Sequence, residues 1–264
     1  MFFREAIENY KEAQKQNPGS RLPISNMGSV YDFMRDFDSA ETTWKRLVSV
    51  WPEFVAGHKD LAWFYIKRDG SVTKARQIIE ETVKKYGSKG ITNHVHDILM
   101  LDGKFEDALN YVTPASYGLP HFYFQLAWDN FFYLNRISTA RAYADSAKPL
   151  LEARVASEPD IRHWHYDLGI ICAILGEKER AVKEGKIVAK FIPVNKDAMF
   201  APNSLQRIAV IYVLVGEYDA AIDKLEYLFS IPYDLTVPLL KTDPVWAPLR
   251  GHPRFQKLIA REEK

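Results

Sequence analysis

Cysteine is almost missing: Cys172 is the single one in 264 residues. An intrachain disulfide is excluded, and so is a thiolate-held metal cluster. Such usage fits a reducing compartment, and the expected location is the cytoplasm. A charge excess is missing too, since 35 Lys and Arg offset 34 Asp and Glu for a net charge of +1. Proteins that bind nucleic acid usually carry a basic excess or stripe, and anionic lipid attracts the same feature. Neither partner is expected for this region. No run of 18 apolar residues occurs, so no segment reads as a membrane-spanning helix. The opening Met1–Glu5 lacks the apolar stretch of a signal peptide.

Motifs that carry chemistry are lacking as well. There is no Gly-x-Ser-x-Gly, His-Glu-x-x-His, Gly-x-Gly-x-x-Gly or phosphate-cradling loop. The pairs His94-x-His96 and His163-x-His165 draw the eye. On a helix, however, residues two apart point in nearly opposite directions and cannot share one metal ion. They read as hydrogen-bonding groups at the rim and between helices. Cys172 falls on a helix face that should be buried, where a thiol is inert. The expectation is a protein that is not an enzyme and holds no cofactor and no metal.

What is present is a repeat. Apolar residues make up 47% of the chain, which is ordinary for a folded protein. Ala6, Tyr10, Ala13 and Pro18 recur 34 residues later as Ala40, Trp44, Leu47 and Pro52. Gly28 and Tyr31 fall on the first helix of that unit, Ala40 and Trp44 on the second, and Pro52 ends it. Similar pairs follow: Leu61, Ala62 and Tyr65 with Ala75 and Ile79; Leu168 and Gly169 with Ala181 and Ala189; Ala209 and Gly216 with Ala221 and Leu225. Small residues let paired helices approach closely, and aromatic side chains fill the gaps.

This period resembles the tetratricopeptide repeat, a helix–turn–helix unit of about 34 residues. The fold class expected is all-α, a right-handed α–α superhelix of about six helical hairpins with a C-terminal helical cap. The solenoid should span residues 1–232, with an incomplete first repeat at 1–18, and the cap 233–264. Helices are expected near 2–17, 23–36, 39–51, 55–68, 72–86, 90–101, 105–112, 119–134, 138–157, 161–175, 178–192, 202–215 and 218–229. Pro149 should kink or break its helix. The stretch 113–118 after a short second helix is the expected irregular point, and 193–203 reads as a surface loop.

The two ends read differently. The N-terminus opens on the second helix of a repeat, and an uncapped apolar face is costly for a solenoid. The chain is therefore expected to be cut from a longer protein, or to stack on another copy. Near the C-terminus, Asp243 before Pro244 reads as a helix cap, with Trp246, Leu249, Phe255 and Leu258 closing the last repeat. The stretch Asp243-Pro244-x-Trp246-x-Pro248-Leu249-Arg250-x-x-Pro253-Arg254-Phe255 resembles the C-terminal signature of a large bacterial family of tetratricopeptide proteins. Ile211–Asp223 and Phe191–Ala198 are similar to it too. In that family the repeats follow an N-terminal signalling part, such as a TolB-like domain, a protein kinase, a nucleotide cyclase or a winged-helix regulator. The resemblance implies a regulatory or scaffolding module of a bacterial protein and no catalytic residue. It also leaves room for a membrane anchor in a preceding part, which would place the module outside the cytoplasm. Ala247 departs from the family, where aspartate is common.

In such repeats the first helix of each pair lines the concave face. That places Asp60, Trp63, Asn93 and Asp97 there, followed by Gln125, Asp129 and Tyr133, then Tyr166, Asp167, Gln206 and Arg207. Asn26 fits one position of a clamp for a C-terminal carboxylate, but its basic partners do not align across three repeats. The aspartates interleaved with aromatics point to a protein or peptide partner bearing Lys or Arg, steered by charge and held on aromatic area. The alternatives are a homo-oligomer formed through the N-terminal repeat, and a small-molecule pocket around Trp63, Trp128 and Trp164.

Overall fold

The computed structural model describes residues 2–190 and 201–260. Among them every regular element is a helix, and the fold is an all-α array of helical hairpins. The chain forms two compact units. Among the described residues, unit 1 comprises 2–108 and 232–242, and unit 2 comprises 109–190, 201–231 and 243–260. Within unit 1 run α1 (Phe2–Gln16), α2 (Leu22–Met34), α3 (Phe37–Val50), α4 (Val55–Asp69), α5 (Val72–Tyr86) and α6 (Thr92–Leu101). The short α7 (Phe105–Leu109) ends at the division between the units. Unit 2 holds α8 (Pro114–Tyr117), α9 (Leu119–Phe132), α10 (Ile137–Ser157), α11 (Arg162–Leu175), α12 (Lys178–Lys190), α13 (Ala201–Leu214) and α14 (Tyr218–Phe229). The chain then returns to unit 1 for α15 (Val237–Thr242) before a 3-10 helix (Pro244–Leu249) and α16 (Pro253–Ile259) complete unit 2.

The hairpins close where a small residue meets a large one. In unit 1 the Gly28 backbone lies directly under the Trp44 indole, and a β-carbon there would come within 2.7 Å of the ring. Trp44, Leu47, Phe64 and Ile24 are all but fully buried around this contact. In unit 2 Gly169 plays the same part. An added β-carbon would meet Ile211 at 2.8 Å and the Ala181 carbonyl at 3.3 Å. The second helices carry the apolar stripe inward through Ala40, Ala75, Ala181 and Ala221, all fully buried.

The C-terminal stretch 233–264, expected as one cap, is divided between the units. Asp243 caps the 3-10 helix by accepting from the Val245 N–H at 2.9 Å, with Pro244 in its first turn. Trp246, Leu249, Phe255 and Leu258 are buried, and the 3-10 helix and α16 pack on α13 and α14. Arg254 reaches Asp219, Asp223 and Glu226 on α14 and ties α16 down. The preceding Tyr233–Leu240 stretch instead packs in unit 1, with α15 against α4. Its Tyr233, Leu235, Val237 and Leu240 are apolar enough to be buried there.

Two local readings change. α10 runs from Ile137 to Ser157 with Pro149 inside it, so of the expected kink or break there is no break. Residues 114–117 form one helical turn, started by Pro114 and capped by the Thr113 hydroxyl, which accepts from the Ser116 N–H. The expected loop 193–203 and the stretch Phe191–Ala198 lie largely or wholly outside the described residues.

Filling the space under Trp44 tests this packing. Gly28→Ala is expected to destabilise the protein by about 1–3 kcal/mol, the usual cost of overpacking a tight contact. Gly251→Ala, where nothing lies within 4 Å, should stay within about 0.5 kcal/mol of the parent. Urea unfolding midpoints compare the two. Equal midpoints would remove the Gly28–Trp44 contact from the account.

Candidate functional site

The C-terminal ends of α2 and α4 carry the most constrained polar geometry in unit 1. A helix end leaves carbonyl groups without intrahelical donors, and the residue after it often turns left-handed, a role glycine fills without strain. Gly70, Gly103, Gly176 and Gly216 fill it after four of the first helices. After α2 the residue is Arg35, at φ 56°, where a β-carbon costs roughly 1 kcal/mol or more. Its side chain has a task that glycine could not perform. The guanidinium donates to the Leu235 carbonyl at 3.1 Å.

That carbonyl belongs to the stretch 233–236, which lies against both helix ends. Tyr233 packs on Phe33 of α2, ring centroids 6.0 Å apart. The Thr236 hydroxyl donates to the Lys67 carbonyl at 2.6 Å, satisfying one of the open acceptors at the end of α4. The same hydroxyl accepts from the Leu239 N–H and so starts α15. Lys67 joins the helices: its ammonium sits 2.5 Å from Asp32 on α2 and 3.6 Å from Asp234. Burial opposes the Lys67 charge, but Asp32 and Asp234 outweigh it and hold the ammonium above its ordinary value. Over Gly70, Thr242 and Pro238 approach so closely that a β-carbon would come within 3.2 Å of the Thr242 hydroxyl.

Of the residues expected on this face, Asp60 pairs with Lys59 at 2.8 Å. Trp63 is half-buried, and its indole N–H has no acceptor among the described residues. Asn93 is exposed. Asp97 keeps 40% of its side chain exposed beside His96, whose Nδ1 lies 2.9 Å from it.

In unit 2 the expected residues divide into buried and accessible ones. Asp129 is fully buried and accepts from the Gln125 amide at 2.9 Å. Asp167 is 4% exposed, with the His121 Nε2 at 3.0 Å. Both carboxylates are buried; Asp129 holds the Gln125 amide, while the Asp167 Oδ2 beside His121 has no hydrogen-bond partner among the described residues. Tyr166 lies under the Arg207 guanidinium, 4.4 Å from ring centre to cation. Burial pushes the Tyr166 phenol up, against the pull of Arg207. Tyr133 and Gln206 are half-buried. The three tryptophans do not form one cluster in either unit. Trp63 belongs to unit 1. Trp128 packs on Phe124 and Phe132, and Trp164 on His121 and His163.

Sequence reasoning missed Arg35, the 233–236 stretch and His121. The signal for Arg35 was there, as the residue standing where other repeats place glycine. The two His-x-His pairs separate as helical geometry requires: His165 is buried between Glu184 at 2.6 Å and the Pro159 carbonyl, while His163 stacks on His121 at 5.6 Å. Among the described residues no group of three His, Cys, Asp or Glu could hold a metal ion. Cys172 is buried, and burial pushes its thiol up to about 12, which keeps it protonated and unreactive. No described helix is long and apolar enough to cross a membrane.

The tetratricopeptide repeat family model matches residues 26–89. No curated protein matches the chain. Similar solved structures include the C-terminal part of a TPR repeat-containing protein from Cytophaga hutchinsonii, at 18% identity over 84% of this chain and 94% of that one, TM-score 0.44. Another is a tetratricopeptide repeat protein from Parabacteroides merdae, at 13% identity over 93% and 91%, TM-score 0.45. A third is pilF of Pseudomonas aeruginosa, at 14% identity over 99% and 100%, TM-score 0.41.

The His163 imidazole in unit 2 sets a pH dependence. Burial holds His163 below its ordinary value; Asp167 opposes this, while His121 and Arg207 add to it. A histidine whose folded value is depressed binds fewer protons folded than unfolded. Its contribution to stability is complete above pH about 6.5, the unfolded value, and is lost as the pH falls through the folded value. The melting temperature should therefore drop between pH 7 and 5.5, and His163→Gln should flatten that slope. A slope that His163→Gln leaves unchanged would show that this imidazole is not the group responsible.

Proposed function

Because residues 26–89 belong to the tetratricopeptide-repeat family, we propose that the protein is an interaction module that holds a segment of another protein against its first-helix faces. One observation carries this reading. The α2 and α4 ends already grip a non-helical stretch of chain, through a main-chain carbonyl at Arg35, a hydroxyl on the Lys67 carbonyl and an aromatic ring on Phe33. Main-chain contacts that give affinity and side-chain positions that give specificity are what peptide recognition requires. The Trp63 N–H adds a buried donor without an acceptor on the same helix as Lys67. Such a group costs free energy until a partner carbonyl meets it.

The finer reading is a partner bearing Lys or Arg. Asp129 and Asp167 are buried, so the acidic attraction falls to Asp97, which stays 40% exposed in its side chain. An exposed carboxylate of this kind acts chiefly on encounter rate and salt dependence. The regulatory setting in a bacterial signalling protein is the reading that the C-terminal signature supports.

A displayed library of 16-residue peptides, panned on the whole chain and followed by calorimetry of the selected sequences, tests the module. Selected peptides should bind at micromolar Kd or better, and those rich in Lys or Arg should lose about 2–10-fold on Asp97→Lys, with a shallower salt dependence. No peptide bound below about 1 mM would end the interaction reading. Binding indifferent to Asp97→Lys would end only the basic-partner reading.

A further inference from the structure

We propose that the α2–α4 site is held closed by the chain's own Tyr233–Thr236 stretch acting as a stand-in ligand, and that its partner is a protein segment with the same order of chemistry: aromatic, carboxylate, aliphatic, hydroxyl. This deepens the interaction reading and rests on it.

Three observations point to a recognition site rather than to ordinary core. The first is the cost accepted at Arg35. A left-handed non-glycine residue stands where four other repeats place glycine, and its guanidinium spans to a main-chain carbonyl of the stretch. Strain of this kind is retained where the geometry is used. The second is the charge at Lys67. Asp32 lies 2.5 Å away and suffices to neutralise it, yet Asp234 approaches at 3.6 Å from the side that keeps 39% of its own side chain exposed. The ammonium thus offers a second carboxylate position at the edge of the site. The third is position-by-position matching. The Tyr233 ring meets Phe33, the Asp234 carboxylate meets Lys67, the Leu235 carbonyl meets Arg35 and the Thr236 hydroxyl meets the open end of α4. Four consecutive residues each meet a different group, which is how a short linear motif is read.

The stretch also has the connectivity of a tethered ligand. Ile231 and Asp243 on its flanks belong to unit 2, while Pro232–Thr242 packs in unit 1. A tethered segment competes at an effective concentration of the order of millimolar. A partner motif in solution must therefore bind more tightly than the tethered copy, or act when the copy is weakened.

The test uses the whole chain and a fluorescein-labelled peptide of the sequence Pro232–Leu240. Its anisotropy should report weak binding to the parent chain and at least 10-fold tighter binding to the Tyr233→Ala/Asp234→Lys variant, in which the tethered copy has lost two of its contacts. Lys67→Glu in that background should abolish binding, and a peptide carrying lysine in place of its aspartate should restore it. Hydrogen exchange on the parent chain provides a second readout that needs no variant. Saturating peptide should speed exchange of the Leu235–Leu240 amides while Ile24–Val30 stays protected. Unchanged exchange at millimolar peptide, or binding indifferent to Lys67→Glu, would show that the stretch is a fixed part of the fold. If the chain took up the peptide only by pairing into dimers, seen by light scattering, the partner would be a second copy and the proposal would fall. Should the peptide fail while library peptides that depend on Asp97 still bind, this proposal falls and the interaction module stands.

Discussion

A two-helix hairpin has an apolar face on each side and can bury only one by itself. Everything else in this molecule follows from that constraint. The contact that lets two helices share a face is the small residue beneath a large one, Gly28 under Trp44 in unit 1 and Gly169 against Ile211 and the Ala181 backbone in unit 2. Neighbouring hairpins bury the remaining faces, so stability accrues from hairpin to hairpin within each unit. The first helices then keep polar and aromatic residues that the hairpin contact does not use.

The same constraint explains why the last stretch of the chain is shared between the units. The 3-10 helix and α16 bury Trp246, Leu249, Phe255 and Leu258 on α13 and α14, closing the final hairpin. Tyr233–Leu240 carries its own apolar side chains and buries them in unit 1, against α4. A return stretch of this kind does for one hairpin what an additional repeat would do, but with a short irregular segment and the single helix α15 rather than a helix pair.

The hairpin pattern was legible because its signal is local and periodic. Alanine and glycine at fixed offsets, with prolines at the ends, place most helix boundaries within two residues of where they lie. The Asp243–Pro244 cap was legible for the same reason, since the chemistry of a helix start is written in adjacent residues. The return of Tyr233–Leu240 to unit 1 was not. It depends on the match between residues about 170–200 positions apart, Thr236 with Lys67 and Leu235 with Arg35, and no periodicity announces such a match. The aspartates on the first helices show a related limit. Spacing put Asp129 on α9 and Asp167 on α11, but spacing does not reveal that both are buried and that Gln125 already holds Asp129.

Arg35 and Lys67 show how a helix end takes on contacts of its own without a change of fold. Each stands at the end of a first helix, where the array needs only a turn and an orphan carbonyl. At α4 the turn residue is Gly70, and the helix end offers its Lys67 carbonyl to Thr236. At α2 the turn residue is Arg35, whose strain is offset by a hydrogen bond from a charged donor, worth about 1.5–3 kcal/mol. The Leu235 carbonyl is one group that meets this donor. A segment that replaced it would present a main-chain carbonyl there, and a carboxylate within reach of Lys67.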